Sequence, residues 1–134
     1  MERKLTSFMM WSHFIVIYEV LCAIFWSNYI LAFFGTSTAT LSLLYHKSHE
    51  KNWQPYEMIS AYSSMIYMNY QSWIKFNHFQ FMIVLALNFC TFILHQYAKR
   101  YDRSHYEKWH PWLHFFPGIL AHYYQRQNRY LALK

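Results

Sequence analysis

His110 and His114 stand four residues apart. On a helix that spacing places both side chains on one face, so two imidazoles can reach a single ion. Ser42 and His46 repeat the spacing, with the serine one turn from the imidazole. Three histidines and a water form the ligand set of a catalytic zinc centre, with one position open for chemistry. Zinc lowers the pKa of that water toward about 7 and polarises a carbonyl. A carboxylate such as Glu57 can hold the water and serve as general base. Ser42 can hydrogen-bond the water or a developing oxyanion. The expected site is therefore His46, His110 and His114 on Zn2+, with Ser42 and Glu57 in catalytic roles. Pro111 suits the first turn of a helix, where its missing amide hydrogen would be unpaired anyway, and it fixes the helix start beside the metal.

Commoner roles stand beside these. The chain has nine histidines, so a four-residue pair also arises by chance. Taken singly, His13, His49, His78, His95, His105 and His122 read as polar caps at a membrane interface. Ser42 alone would bond back to its own helix. Glu57 also suits the first turn of a helix, where the dipole favours a carboxylate. Met58, Met65, Tyr67 and Met68 read as packing or lipid contact.

The elements that must carry these residues follow from charge. The chain of 134 residues is 55% hydrophobic, 23% aromatic and 13% charged, against about 25% charged in soluble domains. Glu19 is the one Asp, Glu, Lys or Arg between Ser7 and Tyr45, and only Glu57 and Lys75 fall between Trp53 and Tyr97. Such stretches exceed the roughly 20 residues a bilayer span needs. The near-zero mean hydropathy reflects 13 Tyr, 6 Trp and 9 His, and Tyr and Trp are at home at the membrane interface. The expected fold is all-α: one integral membrane bundle over 1–134, with about five transmembrane helices at roughly 8–25, 29–45, 56–73, 79–98 and 111–124. Ser27 and Asn28 mark the first bend. Several spans are short, which implies a thin membrane or ends extended by interfacial side chains. Arg3 and Lys4 before an apolar stretch resemble a signal peptide, but Glu19 interrupts the stretch and no small-residue cleavage site follows, so a retained first helix is expected.

Five spans divide the cations unequally. Arg3, Lys4, Lys47, Lys51, Lys99, Arg100, Arg103 and Lys108 share one side; Lys75, Arg126, Arg129 and Lys134 share the other. The excess puts the N-terminus in the cytosol. The net charge of +6 then reads as topology and attraction to anionic headgroups; no arginine-rich arm or nucleic-acid motif is present, so no nucleic-acid partner is expected. Cys22 and Cys90 lie in apolar segments and read as buried thiols. On this layout His46, Glu57, His110 and His114 all fall at the cytosolic ends of their helices. Glu19 falls mid-span, where an ionisable group is costly and needs a partner.

The run Ser42-Leu43-Leu44-Tyr45-His46 resembles the S-x-x-[YF]-H segment of the CREST superfamily. That group includes alkaline ceramidases, progestin/adiponectin receptors, haemolysin III proteins and post-GPI-attachment lipid remodelling proteins. His110-Pro111-Trp112-Leu113-His114 resembles the H-x-x-x-H of the family's last helix. The resemblance implies a seven-helix fold, zinc held by three histidines, a Ser and an Asp completing the motif, and hydrolysis of lipids, chiefly ceramide amides. Ser42, His46, His110 and His114 map directly. Glu57 stands nearest the family's Asp, Leu113 stands where Trp is usual, and the chain is too short for seven helices. Loss of two helices between the third and the last preserves sidedness.

The expected function is a zinc-dependent membrane hydrolase acting on an amide or ester of a membrane lipid, with homo-oligomerisation compensating for so few helices. Two alternatives come from other classes. One is a non-catalytic small membrane protein: an assembly factor, a subunit or an inactive relative of the enzymes. The other is a haem or proton-relay protein, for which His46 with His114 is the better-placed pair and His78 with His95, at opposite ends of one span, the worse.

Overall fold

The computed structural model describes the backbone of residues 7–48, 51–100 and 103–133. His49, Arg3, Lys4 and Lys134 lie outside the described residues, as do the side chains of Lys47, Lys51 and Arg103. Every regular element described is helical: α1 (Ser7–Phe25), α2 (Tyr29–Ser48), a 3-10 turn (Lys51–Trp53), α3 (Gln54–Lys75), α4 (His78–Lys99), a short α5 (Arg103–Trp109) and α6 (Trp112–Ala132). The five long helices have 19 to 22 residues, more than charge patterning suggested for several of them. The added turns are polar. The last turn of α2 ends in His-Lys-Ser, and α6 runs past Tyr124 through Gln-Arg-Gln-Asn-Arg. A reading by apolar content cuts such residues off although the backbone continues. The short α5 was not expected; its residues are too polar for a span.

The local chemistry explains the breaks. At the end of α1, Ser27 N–H donates to the Ile24 carbonyl at 3.0 Å and Asn28 N–H to the Ala23 carbonyl at 2.7 Å, with Ser27 at φ 59°. This is a Schellman motif, in which the residue after the cap turns left-handed. Asn28 Oδ1 then accepts from the Leu31 amide at 3.4 Å and opens α2. Pro55 sits in the first turn of α3. Asn77 and Gln80 cap α4 reciprocally: Gln80 N–H donates to Asn77 Oδ1 at 2.9 Å and Asn77 N–H to Gln80 Oε1 at 3.3 Å.

The long helices form a ring: α1 packs on α2 and α6, α2 on α3, α3 on α4, and α4 on α6. Both glycines of the chain lie where α1 is approached closely. A Cβ on Gly35 would stand 2.7 Å from Val20 Cγ2, and one on Gly118 would stand 2.5 Å from Ile15 Cγ2. Beside an apolar cluster that includes Leu31, Met68, Val84 and Leu120, the interior holds many polar side chains. Ser12, His13, Ser42, Asn88, Thr91 and Gln125 are buried, while Trp11, Phe25, Phe33, Ile66, Phe79 and Phe89 are exposed. Interhelical hydrogen bonds stitch the interior, such as Asn88 Nδ2 to Asn69 Oδ1 at 2.6 Å and Thr38 Oγ1 with Ser60 Oγ at 2.9 Å. Among the described residues α4 is the one helix long and apolar enough to cross a membrane; the apolar run of α1, Trp11–Phe25, is shorter.

Two substitutions test this packing by unfolding in detergent. Gly118→Val is expected to destabilise by about 1–3 kcal/mol, because a side chain must displace Ile15. Ser27→Gly is expected to stabilise by about 1 kcal/mol, because it removes the left-handed strain. An unchanged midpoint in Gly118→Val would mean that α1 and α6 are not in close contact.

Candidate metal centre

The site forms at the end of the ring where α1, α3 and α6 begin and α2 and α4 finish. Helix direction alone carries His13, His46, Glu57, His95, Lys99, His110 and His114 there. His46 closes α2 and His110 precedes α6; their Nε2 atoms lie 3.1 Å apart and are buried. Tetrahedral zinc with bonds of about 2.0–2.1 Å sets neighbouring nitrogens about 3.3–3.4 Å apart, so the two imidazoles stand close to a ligand spacing. One carboxylate oxygen of Glu57 completes a group with them in which all three donor atoms lie within 4.8 Å of one another.

His114 adjoins this group. Its ring centroid is 5.3 Å from that of His110. His114 Nε2 and His110 Nδ1 are buried without a hydrogen-bond partner. A buried polar atom left unpaired costs about 1–3 kcal/mol, and a cation meeting the His114 lone pair would offset it. Burial, and then the neighbouring imidazoles of His114 and His46, push the His110 pKa well below the ordinary range. A neutral imidazole is the form that binds metal.

Ser42 is fully buried and joins two helices to its own. His13 Nε2 lies 3.1 Å from its Oγ, and the Glu57 carboxyl faces it from α3. The hydroxyl can donate to that carboxyl while its lone pair accepts from His13 Nε2–H. The His13 ring in turn packs against His114 with centroids 4.5 Å apart. The Lys99 ammonium also faces Glu57.

All five residues expected from sequence thus occupy one end of the bundle: Ser42, His46, Glu57 and His110 in mutual contact or close grouping, and His114 beside them. His13 was missed. Taken singly it reads as an interfacial cap, yet α1 starts on the same side as α3 and α6, and that topology already placed His13 within two turns of the site. His95 was also read as a cap; it accepts or donates at Nδ1 to the Tyr62 hydroxyl at 3.0 Å and lines the same cavity as His110 and His114.

That cavity, of about 170 Å³, extends from Glu57, His110 and His114 between the helices. Its wall is mostly apolar, with Met58, Met65, Met68 and Phe92 along it, and Glu19 and Gln125 mark its far reach.

His13→Ala leaves Ser42 without its donor and His114 without its packing partner. Loss of such an orienting group weakens metal binding by roughly 10–100-fold, measured by competition against a chromogenic chelator. His78→Ala, at the exposed start of α4, is expected to bind as wild type does; equal affinities for the two variants would remove His13 from the site.

Comparison with protein-family models, with curated proteins and with solved structures returns no match to this chain.

Proposed function

We propose that the chain is a multi-pass membrane protein and a zinc-dependent lipid hydrolase that cleaves an amide or ester near one face of the bilayer. The observation that carries the chemistry is the 3.1 Å approach of His46 Nε2 to His110 Nε2, with Glu57 in the same ligand group at the end of an apolar cavity. Support for the membrane reading comes from the apolar exterior and the helix lengths. Large apolar side chains cover the exterior of a bundle whose interior holds both polar side chains and an apolar cluster, and helices of 19 to 22 residues extend about 28–33 Å, the thickness of a hydrocarbon core. The cation asymmetry puts the N-terminus and the histidine cluster on the cytosolic side. The resemblance of the Ser42–His46 and His110–His114 runs to the CREST superfamily points the same way.

In this reading His46, His110 and His114 would hold zinc. The ion would supply a Lewis acid for the carbonyl and a water acidic enough to react near neutral pH. Glu57 takes the proton from the attacking water and returns it to the departing amine or alcohol. Ser42 and His13 fix the Glu57 carboxyl in place. The methionine-lined cavity takes an acyl chain.

A second reading follows from Glu57 lying within the ligand group. If Glu57 and the three histidines all bind, the shell is closed, as in structural zinc sites, and the protein is a non-catalytic membrane subunit.

Two variants decide between these readings. His46→Ala is expected to lose the zinc that purified wild type carries, read by elemental analysis; full retention would remove His46 from the site. Glu57→Gln is expected to keep zinc and lose at least 100-fold in hydrolysis of ceramide or phospholipid, the size of a general-base contribution. Loss of zinc from Glu57→Gln, with no turnover by wild type, would establish the closed, non-catalytic site.

A further inference from the structure

Glu19 sits in the middle of α1, 8% exposed, where a carboxylate must find partners inside the bundle. It has them. Its Oε1 lies 3.2 Å from His122 Nδ1 of α6, and its Oε2 accepts from Gln125 Nε2 at 3.2 Å. The same amide nitrogen reaches the Glu19 carbonyl at 3.3 Å. Cys22 stands three residues along α1, on the same face as Glu19. The donor atoms of Glu19, Cys22 and His122 all lie within 4.8 Å of one another.

We propose that Glu19, Cys22 and His122 form a second metal site, selective for zinc or a similar divalent transition ion and independent of the histidine cluster. Glu19 follows His13 by six residues and His122 follows His114 by eight. The site therefore lies about 9–12 Å farther along the parallel helices α1 and α6. Carboxylate oxygen, thiolate sulfur and imidazole nitrogen are the three donor types zinc takes, and the thiolate disfavours magnesium and calcium. Zinc with bonds of about 2.0–2.3 Å holds donors about 3.3–3.8 Å apart. The Glu19–His122 contact is already at that scale, and Cys22 closes the remainder by a small side-chain movement. Gln125 orients the carboxylate as an outer-shell partner does. The His122 side chain is 40% exposed. Binding deprotonates the Cys22 thiol and releases one proton to water. The bound ion ties α1 to α6, the helices that carry His13 and His114.

Cobalt distinguishes this site from the other, which contains no sulfur. Metal-stripped full-length protein in detergent is titrated with Co2+. A thiolate-to-cobalt charge-transfer band in the near ultraviolet is expected for wild type, for Cys90→Ser, and for the His46→Ala/His110→Ala variant, and zinc is expected to abolish it. The band is expected to vanish in Cys22→Ser. Failure of the histidine cluster alone would leave the band intact. No band in wild type, or a band that survives Cys22→Ser, overturns the proposal and leaves Glu19–His122 as a carboxylate–imidazole contact. A measurement on wild type covers the case of a misfolded variant: Zn2+ is expected to slow alkylation of Cys22 at least tenfold, and an unchanged rate overturns the site equally.

Discussion

Ser42 can serve His13 and Glu57 at once because three helices meet around its hydroxyl with no solvent between them. The same constraint governs the rest of the interior. The bundle faces outward with tryptophan, phenylalanine and isoleucine, and its interior sets serine, histidine, asparagine and glutamine beside an apolar cluster that includes Leu31, Met68, Val84 and Leu120. Each inward polar group must be met by another protein group or by an ion, since a buried donor or acceptor left alone costs about as much as several surface contacts gain. Asn88 meets Asn69, Thr38 meets Ser60, and Glu19 meets His122 and Gln125. Buried atoms that escape this pairing include Ser72 Oγ, Asn88 Oδ1 and the Tyr124 hydroxyl; two others, His114 Nε2 and His110 Nδ1, lie where the imidazoles crowd together. Two unpaired nitrogens on neighbouring imidazoles are groups that one cation could satisfy.

Helix direction and close packing convert that constraint into geometry. Because α1, α3 and α6 begin where α2 and α4 end, residues far apart in sequence share a level along the bundle. Gly35 and Gly118 allow α1 to sit tightly against both neighbours. That approach brings His13 of α1 onto the His114 ring of α6 and within bonding distance of Ser42 on α2. Wider helix spacing would separate these side chains, and Ser42, the shortest of them, would be the first to lose its partners.

Much of this was legible in the sequence and some was not, for definable reasons. The helix breaks at Ser27-Asn28 and the sidedness of His46, Glu57, His110 and His114 follow from charge-free runs and connectivity, so the described helices carry them to one end. His13 and His122 read as interfacial caps because neither has an i,i+4 partner that could bind with it. Their partners lie on other helices, at a depth that only the matched register of α1 and α6 reveals. Glu19 was recognisable as costly, but its partner His122 is 103 positions away in the chain, beyond any periodicity. The extension of α6 to Ala132 was hidden because its last turns are polar, and polarity reports where the apolar environment ends, not where the backbone stops coiling.

Glu57 is the residue on which the proposed chemistry turns, and its side-chain length explains why. A glutamate reaches one methylene farther than the aspartate that the resembling enzymes carry. From the first turn of α3 that extra reach brings a carboxylate oxygen into the ligand group of His46 and His110, whereas a general base needs to stand one water molecule away from the ion. Ser42 and the field of Lys99 both act on that carboxyl. If these two forces hold one oxygen back, the fourth position stays open to water and the carboxylate acts as a base. If the cation outcompetes them, the shell closes around four side chains. In the proposed centre the Ser42 hydroxyl would thus do more than support Glu57: by restraining it, Ser42 would set whether a position stays vacant, and His13, 3.1 Å from that hydroxyl, would act through it.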